Sequence, residues 1–318
     1  MKVSRYAPAV LLALLGCLGA RSAAAAAAAE APAPAGAAKA PKGAFPFFAL
    51  CMDTHDAKRR TLPQQAEMLG ELGFDGAAHL WLDGVPERLK TLDARGLELF
   101  QVYVQASIDP SRPKYDPRLA EVTKLLKGRR TMLGVLVTGM KPSDPAGDER
   151  AVSVLGEIAD LAGAAGLRVA LYPHTGDWLE RVDDAIRVVK KAGRKNLGVS
   201  FNLCHYLKVE GPKDPKPTLR AALPHLFVVT INGADAEGTN WDRLILPLDR
   251  GNFDVHGMLR TLKDLGYTGP IGLMCYGIGG DAREHLARSM DAWRKLSARL
   301  EGPNGASASK DRAPNRKP

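Results

Sequence analysis

Short apolar runs that stop abruptly at polar or aromatic residues recur along this chain, separated by stretches with helical periodicity. Arg168–Asp177 reads RVALYPHTGD, Asn196–His205 reads NLGVSFNLCH, Leu226–Asp235 reads LFVVTINGAD and Pro270–Gly277 reads PIGLMCYG. Between them lie helical patterns such as Leu179–Lys191 and Val255–Leu265. A strand that is apolar along its whole length is covered on both faces, which is the habit of a parallel sheet. Such sheets carry their chemistry at the carboxyl ends of the strands, where these polar residues fall.

Eight strand–helix units can be counted. Strands are predicted at Phe45–Met52, Gly76–Leu80, Leu97–Val104, Thr131–Val137, Arg168–Leu171, Gly198–Phe201, Phe227–Ile231 and Ile271–Met274. The helices that alternate with them cover about 62–72, 86–95, 117–126, 148–165, 179–191, a short piece near Leu219, 255–265 and 283–297. A Pro/Lys-rich excursion, Lys208–Pro217, follows strand six, and a long loop, Gly233–Asp249, follows strand seven. Gly73, Gly96, Gly166 and Gly266 each stand between a helix and the next strand, the place of a left-handed C-cap. Eight units favour a closed, single-domain α/β (β/α)8 TIM barrel over an open doubly wound sheet, and no Gly-rich phosphate loop points to a dinucleotide fold.

The ends differ from the middle. Residues 1–29 read as a signal peptide: a basic start with Lys2 and Arg5, an apolar run too short to span a bilayer, then an alanine tract. Leu14-Leu15-Gly16-Cys17 also resembles a lipobox, which would place a lipid anchor on Cys17. Residues 30–44 form an Ala/Pro linker, residues 45–300 the barrel, and residues 301–318 a polar tail expected to be disordered. The chain is therefore expected to be exported, to the periplasm or beyond, with no membrane span once the leader is removed.

Charge changes this picture little. The net charge is +9, but residues 1–44 hold five Lys/Arg against Glu30 alone, and residues 301–318 hold four against two acids, which leaves +3 for the barrel. No basic stripe interleaved with aromatics appears, so nucleic acid is not the expected partner. Of the four cysteines, Cys17 lies in the leader, and Cys51, Cys204 and Cys275 sit in or beside apolar strands as buried thiols. Cys51 and Cys275 fall on the first and last strands, neighbours after closure, so a disulfide is open to them outside the cytoplasm.

Polar residues just after each strand converge on one mouth if the barrel closes. They are Asp53 and His55, His79 and Trp81, Gln105, Tyr172 with His174 and Trp178, Asn202 and His205, Asn232 and Asp235, and Tyr276. Four of the seven histidines are in this set, while His225, His256 and His285 lie in or near helices and read as surface residues. Aromatic faces with amides, imidazoles and carboxylates are the groups that hold a polyol: rings stack on the apolar face of a sugar and polar groups take its hydroxyls.

On four motifs the chain resembles the xylose isomerase-like barrels, the superfamily of sugar-phosphate isomerases and epimerases. These are Tyr172-Pro-His174 on strand five, Asn202-Leu-Cys-His205 after strand six, Asn232 to Asp235 after strand seven, and Gly266-Tyr-Thr-Gly269 leading into strand eight. The resemblance spans about residues 45–297. It implies a divalent metal held at the ends of strands five to eight, at positions that here carry Tyr172, Asn202, Asn232 and Met274. None of these suits a hard cation. The expected enzyme is thus a sugar isomerase, epimerase or lyase without the metal, in which His174 or His205 moves the proton beside a carbonyl and Tyr172 or Asn202 steadies the oxygen.

In that reading His174, His205 and Tyr172 are catalytic, and the other strand-end residues, Asp53, His55, His79, Trp81, Gln105, Trp178, Asn202, Asn232, Asp235 and Tyr276, bind a small carbohydrate. Two alternatives stay open: a non-catalytic carbohydrate-binding barrel, and a relocated site in which Asp53, His79, His174 and His205 hold Zn or Mn.

Overall fold

The strand runs pair because each can bury both of its faces. Along a strand alternate side chains point into the barrel and out toward the helices. The computed structural model describes residues 45–302, in which eight strands close in sequence order with every neighbouring pair parallel. They are β1 (Phe47–Leu50), β2 (Gly76–Leu80), β3 (Glu98–Ser107), β4 (Met132–Thr138), β5 (Arg168–Leu171), β6 (Leu197–Asn202), β7 (Leu226–Ile231) and β8 (Ile271–Met274). The ring is sealed where β1 meets β8, with Leu50 opposite Met274.

Helices α1 (Leu62–Leu72), α2 (Val85–Asp93), α3 (Leu119–Leu125), α4 (Asp148–Ala164) and α5 (Val182–Ala192) follow the first five strands. Then come α6 (Leu203–Glu210), α7 (Lys216–Ala222), the one-turn α8 (Trp241–Leu244), α9 (Val255–Asp264) and α10 (Ala282–Glu301). Gly73, Gly96, Gly166 and Gly266 take φ values of 89°, 63°, 75° and 79°, the left-handed geometry expected of them. Two helices differ from expectation. What reads as a turn after β6 is already helix α6, and the long loop after β7 carries α8. The expected leader (1–29), the linker (30–44) and nearly all of the tail lie outside the described residues; the last helix reaches Glu301, the first residue assigned to the tail. No helix among the described residues is long and apolar enough to cross a membrane.

Two apolar layers hold the barrel. The outer one lies between strands and helices and includes Phe47, which stacks on Trp293 of α10 at 4.1 Å. The inner one fills the barrel with aromatic rings and needs glycine opposite them. Phe48 pairs with Gly272 across β1 and β8, and a Cβ on Gly272 would stand 2.6 Å from the Phe48 ring. Phe48 then stacks on Phe100 at 4.8 Å, and Tyr103 fills the space over Gly134. Cys51 belongs to the inner layer and Cys275 to the outer one, and Cys51, Cys204 and Cys275 are all free thiols; the disulfide open to Cys51 and Cys275 is not formed. His285 is a correction: it is 6% exposed within α10 rather than a surface residue.

Gly272→Ala is expected to cost about 1–3 kcal/mol because the added methyl overpacks the barrel. Gly70→Ala, in an exposed turn of α1 with nothing within 4 Å of its new Cβ, should instead gain about 0.5–1 kcal/mol. Urea unfolding of the two variants checks this, and equal effects would contradict the inner-layer packing.

Candidate functional site at the barrel mouth

At the carboxyl ends of the strands lies a chamber of about 490 Å3. Its wall is mostly apolar and aromatic: Leu80, Tyr103, Leu136, Ile245 and Met274 among them, with Trp81, Trp241 and Tyr276 exposed at the rim. The polar groups that reach it are Tyr172, His174, Thr175, His205 and Asp242, with the thiols of Cys51 and Cys204. Asp242 is the one carboxylate in the wall among the described residues, and no Lys or Arg lines it.

Asn202 organises the floor. It ends β6 and caps α6, its Oδ1 accepting the His205 backbone N–H at 3.2 Å and the Cys204 thiol at 2.9 Å. Its Nδ2 donates to the Tyr172 hydroxyl. A side-chain oxygen at the N-cap satisfies a backbone donor that would otherwise be orphaned, so the helix must begin here. That start fixes His205 one turn in, facing the chamber.

His205 is 7% exposed, and its Nδ1 accepts from the Thr175 backbone N–H at 3.3 Å. The Thr175 hydroxyl is 3.1 Å from the same nitrogen. Burial, and secondarily the nearby His174, hold its pKa well below the ordinary imidazole value. The ring is therefore neutral with its proton on Nε2, a hydrogen-bond donor to the chamber. His174 lies beside it, ring centroids 4.2 Å apart. Its Nδ1 lies 3.4 Å from the Asp177 carboxylate without hydrogen-bond alignment, and both atoms are buried with no hydrogen-bond partner among the described residues. A buried carboxylate beside an imidazole is the pairing that general bases use, which makes His174 the candidate base. Burial pushes the Tyr172 phenol far up, with Tyr103 and the two thiols adding to it, against the Asn202 hydrogen bond. Tyr172 is thus a neutral O–H donor, since its oxygen already accepts from Asn202.

The other expected residues divide. Trp81 and Tyr276 reach the chamber. His55 stands behind the rim, edge-on to Tyr276 at 5.0 Å, its Nδ1 accepting from the Gly277 N–H at 3.1 Å. Gln105 projects into a neighbouring hollow. His79 points the other way, because in β2 Ala78 faces the barrel and His79 faces the helices. There both of its nitrogens are occupied, by Asp83 O at 2.6 Å and Arg88 Nε at 3.3 Å, and burial lowers its pKa. The same Arg88 holds Asp53 at 3.4 Å. Trp178 is fully buried and donates its indole N–H to Asp144 O at 2.8 Å, packing rather than lining. Asp235 pairs with Arg243 at 3.1 Å inside the β7 loop. Asn232 donates to Gly233 O and Leu244 O at 2.7 and 2.6 Å, bracing that loop.

The groups at the four positions where the resemblance implies metal ligands do not form a donor set for a hard cation. Tyr172 is held as a phenol, the Asn202 oxygen is spent on capping, Met274 offers a thioether, and only the buried Asn232 Oδ1 lacks a partner. Among the described residues no three His, Cys, Asp or Glu side chains come together as a metal site, and His79 and Asp53 do not share the chamber with His174 and His205.

Sequence reasoning missed Trp241, Asp242 and Ile245, which α8 brings over the chamber; Trp241 stands edge-on to His205 at 5.4 Å. A tryptophan inside so long a βα loop was the available signal, since loops of that length carry either function or their own structure. Two strand-end residues also hold strained backbones: Cys51 and Trp81 take φ of 57° and 67°. Such conformations cost of order 1–3 kcal/mol and gather at functional sites.

The family model described as a xylose isomerase-like TIM barrel matches residues 67–296. No curated protein matches the chain significantly in sequence. In structure the chain is similar to the D-psicose 3-epimerase of Clostridium cellulolyticum H10 solved with D-tagatose, at TM-score 0.60 and 17% identity over 80% of this chain and 99% of that one. It is similar to the 3-keto-D-glucoside 4-epimerase of E. coli at TM-score 0.61 and 14% identity, over 79% and 99% of the two chains. A xylose isomerase-like TIM barrel protein of Mycobacterium smegmatis, solved with magnesium, gives TM-score 0.59 and 18% identity over 81% and 99%. At these identities the likeness establishes the fold.

His205 gives the site a pH signature. Its folded pKa is depressed, so the stability it contributes is full above the unfolded imidazole value of about 6.5 and is lost as pH falls below it. Between pH 7.5 and 5.5 the stability measured by urea unfolding should fall, with up to about 1.4 kcal/mol per pH unit due to this group. His205→Gln should flatten that slope, leaving the share of His79 and His285, which shift in the same direction. Identical slopes would contradict a buried neutral His205.

Proposed function

The chain belongs to the xylose isomerase-like TIM barrel family, and we propose that it is a sugar-active enzyme of the isomerase, epimerase or lyase type whose proton transfer is carried by histidines in place of a metal. The observation that carries this reading is the Asp177–His174–His205 array set against Tyr172 in an aromatic chamber. The solved epimerases of the same fold support the substrate class.

The groups divide the work. A sugar carbonyl at the floor would accept from Tyr172 O–H and His205 Nε2–H. His174 Nε2 would take the proton from the adjacent carbon: the C–H bond breaks, an N–H bond forms, and the electron pair moves onto the carbonyl oxygen, where the two donors stabilise it. Asp177 stabilises the imidazolium so formed. Returning the proton to the opposite face of the same carbon completes an epimerisation. Returning it to the former carbonyl carbon, with the neighbouring hydroxyl proton passing to the first oxygen, completes an isomerisation. When the enolate pair instead re-forms the carbonyl and expels the β-hydroxyl, protonated by the His174 imidazolium to leave as water, the result is a lyase. An apolar wall strengthens each of these interactions by excluding water. The expected leader would place the reaction outside the cytoplasm.

Sugars offered as a panel, with product analysed by chromatography, test the assignment. On whichever sugar is converted, His174→Ala should lower kcat at least about 100-fold, and Asp177→Asn about tenfold or more. Unchanged turnover in His174→Ala would remove the base from the mechanism. Binding of sugars with no conversion of any of them would identify a carbohydrate receptor instead.

A further inference from the structure

Trp81 and Tyr103 line two hollows. The first is the chamber; the second, about 470 Å3, lies over the ends of β2, β3 and β4. Its wall includes Gln105, Ser107, Arg112, Tyr115 and Thr138. Gln105 is exposed, and its amide has no partner among the described residues, although it sits on the inward-facing row of β3 with Gln101 and Tyr103. Trp81, the boundary between the hollows, is 46% exposed and held at φ 67° by its N–H bond to Tyr103 O. A strained, exposed indole kept between two cavities is a platform, since strain of this kind persists only where surrounding structure imposes it.

The chemistry of the second hollow is that of a neutral polyol site. It offers an aromatic face, a free amide and hydroxyls, which together match a sugar ring. Its cations are already answered. Arg118 is bracketed by Asp116 at 2.6 Å and Asp83 at 2.7 Å, and Arg112 leans on Asp109 at 3.7 Å. A phosphate would find no unpaired buried cation there, and none lines the chamber.

We propose that the substrate is a glycoside of two neutral sugar rings. The reacting ring sits in the chamber beside His174 and His205, and the second ring sits in the β2–β4 hollow against Trp81 and Gln105. This rests on the reading of the chamber as a sugar site.

Calorimetric titration of the full chain with D-glucose and D-galactose, and with cellobiose, maltose and lactose, tests it. At least one disaccharide is expected to bind about tenfold more tightly than its hexose. Gln105→Ala should cost that disaccharide about three- to tenfold, the worth of one hydrogen bond, while hexose affinity and the thermal midpoint stay unchanged. Hexose and disaccharides binding equally, or Gln105→Ala weakening both alike, would overturn the second subsite and leave the chamber reading standing. Binding of neither class would overturn both.

Discussion

One buried amide ties the mouth of this barrel together. Asn202 ends β6, starts α6, receives the Cys204 thiol and the His205 backbone N–H, and holds the Tyr172 hydroxyl from the neighbouring strand. Buried amides are tolerated only when their donors and acceptors are met, and this one is met at both ends. Everything on the chamber floor takes its position from that arrangement. The helix can begin only where the cap permits, which seats His205 against Thr175. The phenol oxygen accepts from Asn202, which leaves its O–H to donate.

The same amide explains how the site differs from the metal centre that the family resemblance implies. A carboxylate at this position would serve a cation; an amide serves a helix end and a phenol. The proposed chemistry therefore depends on neutral donors, Tyr172 O–H and His205 Nε2–H, and on one imidazole backed by a carboxylate. Neutral hydrogen-bond donors stabilise a developing oxyanion well only in a dry, preorganised pocket. The apolar wall formed by Leu80, Leu136, Ile245 and Met274 supplies that condition. Aromatic residues at the rim, Trp81, Trp241 and Tyr276, match the apolar faces of sugar rings.

Most of the fold was legible because strand burial and glycine caps are local signals. β2, β5 and β8 coincide with their expected limits, and the four expected C-cap glycines are left-handed. The site was legible in part. Position after a strand says that a residue lies near the mouth but not which way it points. His79 and Leu80 are neighbours in sequence, yet only Leu80 reaches the chamber, since side chains alternate. Trp178 lies only four residues beyond His174, but the loop between them folds back and buries the indole under Asp144. Asn232 and Asp235 brace the β7 loop for the same reason: long loops spend their polar groups on themselves. That loop also hides a helical turn, α8, too short to leave a periodic trace, and with it Trp241.

The central claim is that a histidine pair on this floor removes a proton beside a sugar carbonyl without a divalent cation. Deuterium wash-in measures it directly: protein treated with EDTA is incubated in D2O with a panel of aldoses, ketoses and 3-keto-glycosides, and NMR follows the carbon next to the carbonyl. The account predicts deuterium at that carbon for at least one sugar, and none when His174 is replaced by alanine. No exchange with any sugar, or exchange that appears only when a divalent metal is restored, would contradict it.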